Sequence, residues 1–238
     1  MAVQRNTIVI IWIMFLNGIA GYLNAGAVLE FLMPVSHVTG NLTQFAICAA
    51  VGNEIRLWQY VVMFLGFLAG ATMSGLVFKQ KILSFREHPY GLYLIAMGCL
   101  LLMQSYLVTS RFWVMFFLSL IMGAQNGMFI FYRGLLVRTT HMTGYITDAG
   151  TALATMIKPE RAGERPVAFK NFIFYLGSII IFVLGGLAGV LTHLYGQASA
   201  GILTLTVAGT SYIILGMVVV IYRFRMRYLT GFNETTNK

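Results

Sequence analysis

HVTGNLTQFA, residues 37–46, and HMTGYITDAG, residues 141–150, are two polar clusters in a chain that is otherwise close to continuous apolar sequence. Each has His, Thr and Gly at its first, third and fourth positions and a second Thr at its seventh. Each leads into a short apolar segment, 41–52 in one case and 144–157 in the other. Whether those two segments cross a bilayer or turn back inside it decides the fold.

Six further apolar segments, at 7–29, 58–78, 90–109, 112–132, 168–191 and 200–222, have the length to span. At about 1.5 Å of rise per residue, some 20 residues cover a hydrocarbon core roughly 30 Å thick. Composition agrees, with 58% hydrophobic and 10% charged residues and a mean hydropathy of +0.80. A soluble domain carries about 25% charged residues. The chain is therefore expected to be an all-α integral membrane protein, in contact with lipid along most of its surface. Its net charge of +9 fits Lys and Arg gathered in cytoplasmic loops, and no nucleic-acid partner is expected. The run from Thr7 is too long for a signal-peptide core and is taken as a retained first span. Cys48 and Cys99 lie in apolar runs and read as small buried side chains rather than a disulfide. No metal-type spacing occurs, and neither a metal nor a cofactor is expected.

The duplication is wider than the two clusters. GYLNA (21–25) precedes the first and GAQNG (123–127) the second, each reading G-x-x-N-small. Downstream, Leu65-Gly66 with Gly75 matches Leu176-Gly177 with Gly186. These landmarks divide the chain into two homologous membrane repeats, 1–110 and 111–238.

Positive charge discriminates between topologies. If all eight segments cross, the 16 Lys and Arg split 11 to 5 between the two sides, counting from the N-terminal side. If the two short segments return to the side they entered from, Lys79, Lys81, Arg86, Arg133 and Arg138 join the N-terminal side, Arg56 and Arg111 leave it, and the split becomes 14 to 2. The positive-inside rule favours the second arrangement. Each half then has three full spans plus one short re-entrant helix, and an odd number of crossings makes the halves inverted repeats. Eight spans with parallel repeats is the alternative. The favoured arrangement puts both termini in the cytoplasm and the chain in a cytoplasmic membrane.

Non-helical backbone at membrane depth must be shielded by protein or line a wet cavity. Gly40 and Gly144 permit a sharp turn, and Thr39 and Thr143 are suited to cap the short helices. Two helix N-termini converging near the midplane favour an anion or a polar neutral solute. His37 and His141 add donors, with Asn41, Thr43 and Thr147 on the same short segments. Asn24 and Asn126, inside long spans, either line the same cavity or tie helices together. Asp148 is an acid within a membrane segment, which marks it as a functional candidate; the matching position holds Gln44. Arg133 and Arg138 precede the second cluster and either attract an anion or, as the favoured reading, snorkel to the cytoplasmic interface. Gly66, Gly70 and Ser74, and Gly185 and Gly189, form small-residue stripes for close helix packing.

GYLNA followed by HVTGN, with RTTHMTGYITDAG at 138–150, resembles the YoaK-like family of bacterial membrane proteins, a domain of unknown function with about six spans. The resemblance covers nearly the whole chain. It implies a bacterial inner-membrane protein but no particular activity. Family members often carry Asp where this chain has Asn24, which puts coupling through a carboxylate there in doubt.

The expectation is a small transporter or channel-like permease for a small polar solute, anions included, with its site at the two HxTG breaks and with scope for homo-oligomers. No hydrolase, metalloprotease or phosphate-loop motif is present, and the chain is not expected to be an enzyme. The alternatives are an intramembrane enzyme on a lipid-linked substrate and a non-transporting scaffold or accessory subunit. Single-cysteine labelling from each side of the membrane tests the topology: residues 30–36 and 53–57 are expected to label from the same, non-cytoplasmic side, and labelling of 53–57 from the cytoplasm would sink the re-entrant arrangement.

Overall fold

Proline and glycine punctuate this chain where the helices stop. Pro34 follows the first helix, Pro89 immediately precedes the fourth, and Pro159 and Pro166 flank the start of the seventh, positions where a missing N–H costs little. The computed structural model describes residues 2–78, 89–107, 110–128, 130–132, 135–196 and 199–235. Among these are helices α1 (Ala2–Phe31), α2 (Val38–Ala50), α3 (Glu54–Val77), α4 (Tyr90–Leu107), α5 (Arg111–Gly127), α6 (Met142–Ile157), α7 (Glu164–Gly196) and α8 (Ala200–Thr235). Between α5 and α6, Ile130–Tyr132 (β1) pairs antiparallel with Leu135–Val137 (β2). Lys79, Lys81, Arg86, Arg133 and Lys238, which enter the charge count, lie outside the described residues.

Five helices, within α1, α3, α4, α7 and α8, are long and apolar enough to cross a membrane. Their outer faces present Leu65, Leu68, Leu76, Val183, Leu187 and Leu194 rather than charges, which is stable against lipid and not against water. The chain is a multi-pass helical membrane protein. The segment expected at 112–132 is shorter than the sequence suggests: α5 stops at Gly127 and the chain turns into the small hairpin. The short helices begin earlier than expected, at Val38 and Met142. Gly52, at φ 71°, turns the chain from α2 into α3 within three residues, and the Asn53 side chain accepts from the Arg56 N–H (3.2 Å) to cap α3.

Helices in lipid gain little from hiding apolar surface from one another, so close approach of backbones and polar ties set the packing. The main pairs are α1 with α7, α3 with α5 and α4 with α8, and each short helix packs on the long helix after it, α2 on α3 and α6 on α7. Gly185 lies against the backbone of Gly18 and Gly189 against Tyr22, so α1 and α7 run parallel. Gly66 lies against Phe116 and Gly70 against Leu120 and Ala124, so α3 and α5 also run parallel. Gly91 faces Gly216 and Gly98 faces Gly209, so α4 and α8 run antiparallel. Gly21 of α1 approaches the Phe182 carbonyl just as Gly123 of α5 approaches that of Phe67. The packing thus relates Phe67 and Gly70 to Phe182 and Gly185, one helical turn from the register in which Leu65-Gly66 matches Leu176-Gly177.

Polar ties complete the bundle. The Ser74 hydroxyl donates to the Ala124 carbonyl and shares a 2.6 Å hydrogen bond with the Tyr93 hydroxyl, joining α3, α5 and α4. Phe78 stacks on Tyr90 (4.5 Å between ring centres), and Trp12 meets Tyr90 edge-on at 5.5 Å, contacts worth about 0.5–1.5 kcal/mol each. Both cysteines are free; Cys48 is buried as expected, whereas Cys99 faces outward from α4.

A side chain at Gly70 has no room, because Ala124 N and the Leu120 carbonyl carbon would each lie 2.7 Å from a Cβ. Gly75 on the same helix faces open space. Gly70→Val is therefore expected to destabilise by about 1–3 kcal/mol or more, read as a lower thermal midpoint in detergent, with Gly75→Val close to wild type.

Candidate functional site

The two HxTG turns adopt one backbone conformation. His37 has φ −93°, ψ 67° and His141 has φ −94°, ψ 67°, and each is the residue from which its short helix starts. Thr39 and Thr143 are therefore not the caps the sequence suggests. They lie inside the first turn, because the chain leaves helical dihedrals at the histidine and not at the threonine. No side-chain hydrogen bond caps either helix. The glycines have a different use from free rotation. A Cβ on Gly40 would strike the His37 ring (Nε2 at 2.5 Å), and one on Gly144 would strike the His141 ring (Nδ1 at 2.6 Å). Each imidazole folds over the start of its own helix, and glycine three residues on makes the space.

Both turns open onto one cavity of about 640 Å³. Its 14 lining residues fall into seven pairs, one member from residues 24–67 and one from residues 126–182. Asn24 of α1 matches Asn126 of α5. Ser36 matches Thr140, His37 matches His141, Val38 matches Met142, and Thr39 matches Thr143. Phe67 of α3 and Phe182 of α7, the residues packed on Gly123 and Gly21, close the sides. The seventh pair is Pro34 and Arg138. Two helix N-termini, each carrying about half a positive charge, meet in this space, which Arg138 also lines.

The straps that lead into the turns are held differently in the two halves. In the first, Asn24 Oδ1 accepts from the N–H and the hydroxyl of Ser36, at 3.2 and 3.1 Å. In the second, Asn126 Oδ1 is buried with no hydrogen-bond partner among the described residues. Gln125 takes over the strap instead. Its amide donates to the Leu16 carbonyl (3.0 Å) and the Thr139 hydroxyl (2.7 Å), and its carbonyl oxygen accepts from Tyr212. One fully buried side chain thus joins α1, α5, α8 and the strap before His141.

Of the residues expected at the site, His37, Thr39, Asn24, His141, Thr143 and Asn126 line the cavity. Gly40 and Gly144 lie directly beneath the rings that do. Asn41 lies outside it: its amide donates to the Pro34 carbonyl (2.5 Å) and to Met63 Sδ (3.1 Å), pinning α2 to α3. Thr43 and Thr147 donate back to the carbonyls of Thr39 and Thr143 within their own helices. Asp148 is half-buried on α6 and is not part of the lining. Arg138, expected at the cytoplasmic interface, is half-buried and lines the cavity. Ser36, Thr140, Phe67 and Phe182 were not singled out by sequence; Ser36 and Thr140 could have been, since each directly precedes a duplicated histidine. Two other hollows, of about 480 and 530 Å³, run along α1 and α8 with almost wholly apolar walls, among them Ile11, Phe15 and Ile19. They have the character of lipid-side grooves.

A helical membrane protein with a polar cavity between two broken helices is the class that fold and site define. The chain belongs to the family described as Protein of unknown function (DUF1275), whose family model matches residues 12–216; this is the family the RTTHMTG and TGN signatures resemble. Neither the curated proteins nor the solved structures yield a match.

Because the obstruction at Gly144 is a side chain, Gly144→Ala is expected to leave the fold intact and move the His141 ring instead. The thermal midpoint should stay within a few degrees of wild type. Diethyl pyrocarbonate modification of His141, measured by peptide mass spectrometry, should change in rate; an unchanged rate would mean the glycine does not seat the ring.

Proposed function

We propose that this protein is a small permease of a bacterial cytoplasmic membrane that passes a small polar solute through the cavity between its two HxTG turns. The observation that carries the reading is the lining itself: every residue facing the cavity has a counterpart from the other half. A packing motif kept for stability alone need not bring seven pairs of residues to one hollow. Transporter folds built from repeats place their sites at the repeat interface, on broken helices near the bilayer midplane.

The repeats in this reading are residues 1–110 and 111–238 in inverted orientation. The support is helix direction. If every helix crossed, α4 and α8 would run the same way, yet they run antiparallel while α1 with α7 and α3 with α5 run parallel. Three crossings and one re-entrant helix per half account for all three pairs, with α5, of 17 residues and about 25 Å, as the sixth crossing. The charge split of 14 to 2 puts both termini in the cytoplasm. The α2 N-terminus then enters from outside and the α6 N-terminus from inside, and the two meet at the cavity.

The histidines carry the polar contacts in this mechanism. Their rings lie over the helix N-termini, so each can donate to a solute that also faces the first-turn N–H groups. Phe67 and Phe182, on α3 and α7, wall the solute laterally. Rocking of one half against the other would expose the cavity to each side in turn.

Purified protein in proteoliposomes, screened by counterflow with labelled small polar solutes, provides the test. His37→Ala and His141→Ala are each expected to reduce uptake of any transported solute by about tenfold or more, with the thermal midpoint retained. Stable variants that transport every such solute as well as wild type would remove the site assignment. Product formation from a lipid-linked substrate in detergent, without a sealed compartment, would instead identify an enzyme.

A further inference from the structure

We propose that Asn17 and Ser119 are wall positions of the passage on the two sides of the cavity, shut in this structure and hydrated in turn as the cavity opens to one face of the membrane or the other. The proposal rests on the permease reading and deepens it.

Two buried polar side chains have no part in the ties described above. Asn17 of α1 is 0% exposed, and neither its amide nitrogen nor its amide oxygen has a hydrogen-bond partner among the described residues. Ser119 of α5 is 0% exposed, and its hydroxyl has no such partner either. Hydroxyls on other helices return their proton to the preceding turn, as Thr72, Thr192 and Ser211 do to the carbonyls of Leu68, Ala188 and Val207; Ser119 does not. A polar atom left dry and unpaired is costly, and folded interiors keep few of them. Water is the partner such a group takes once a path to it opens.

The two occupy matched positions. Each stands seven residues before the asparagine that lines the cavity, Asn17 before Asn24 and Ser119 before Asn126. Each also stands four residues before the glycine that seats a phenylalanine carbonyl, Gly21 or Gly123. Seven residues make about two helical turns, so each polar residue shares a face with its asparagine, about 10 Å along the axis. Between them the Phe182 carbonyl sits on Gly21 and the Phe67 carbonyl on Gly123, and both phenylalanines line the cavity. The order along each helix is therefore polar residue, glycine contact, cavity. In the inverted arrangement α1 runs outward and α5 inward, which puts Asn17 on the cytoplasmic side of the cavity and Ser119 on the outer side. A shift of α7 along α1, or of α3 along α5, releases one glycine contact, joins one polar residue to the cavity and lets water reach it. One such position on each side is what alternating access calls for.

Thiol labelling tests this in a Cys48→Ala, Cys99→Ala background, with the anionic, membrane-impermeant sulfonatoethyl methanethiosulfonate applied to right-side-out and inside-out membrane vesicles. Asn17→Cys is expected to react from the cytoplasmic side and Ser119→Cys from the outer side. Each should react about tenfold or more faster than Leu16→Cys and Ile121→Cys, which are equally buried on other faces of the same two helices. Asn17→Leu and Ser119→Ala remove the unpaired groups and are expected to raise the thermal midpoint by about 2 °C or more. They should also slow labelling of Thr39→Cys in the cavity, Asn17→Leu from the cytoplasmic side and Ser119→Ala from the outer side. If a cysteine variant does not fold, as judged by its melting curve, these two substitutions decide. Labelling of Asn17→Cys or Ser119→Cys no faster than the controls, labelling from sides other than these, or a lower midpoint for Asn17→Leu or Ser119→Ala overturns the proposal; the permease reading stands if wild type still moves a solute in the counterflow screen. Labelling as expected in a protein that moves none of the screened solutes overturns the permease reading instead.

Discussion

A backbone N–H or C=O that faces hydrocarbon without a partner costs several kcal/mol, and this chain has two places where the helical ladder stops between membrane segments. Everything around those places follows from the need to keep lipid away from them. α3 and α7 stand behind α2 and α6, Asn41 fastens one short helix to its neighbour, and Asn24 and Gln125 satisfy the straps. The histidines use the remaining direction, which is inward. A helix break walled off from lipid on its outer faces has the interior left to open into, which accounts for a hollow there without any ligand.

The close approaches that build the wall are set by glycine. Gly21 and Gly123 seat the carbonyls of Phe182 and Phe67, and Gly70 and Gly185 repeat the contact one turn along. These contacts fix the height of the two phenylalanines against the two turns, which is why both rings reach the same hollow. The structure spends its polar side chains sparingly but not at random: Gln125 alone holds three elements together, in a setting where each tie is worth about 0.6–2 kcal/mol.

Much of this was legible in the sequence, and the limits have physical causes. The all-helical membrane class, the two short helices and the likeness of His37 to His141 follow from hydropathy and from a polar motif conspicuous against an apolar background, whereas of the six expected spans five are long and apolar enough to cross, α5 being the shorter one. Helix starts were displaced by up to three residues because a Thr inside the first turn and a Thr that caps it are the same letters; only the dihedrals of the preceding histidine distinguish them. Phe67 and Phe182 could not be found, since an aromatic that faces a cavity and one that faces lipid have the same hydropathy. The match of Leu65-Gly66 to Leu176-Gly177 was a local likeness one turn out of register with the packing, a slip that glycine-rich helices invite. Arg138 was read first as an interface residue and second as one that attracts an anion, because extended chain carries no periodicity from which to read which way a side chain points. Thr43, Thr147 and Asp148 share the motif but face elsewhere, as a helix of 3.6 residues per turn requires of neighbours only a few positions apart.

The exchange of partners between the halves has a consequence for how the molecule is made. α1 packs on α7 and α5 on α3, so helices before residue 110 pair with helices after it. When the ribosome has delivered only the first half, the groove-forming face of α1 with Gly18 and Gly21 has no mate, and it keeps none until α7 enters the bilayer. The segments before and after residue 110 are therefore not modules that fold in turn but strands of one weave, completed only once α7 is in place. A cell making this protein must keep a half-finished bundle, with its polar turns uncovered, from meeting the wrong neighbour in the meantime.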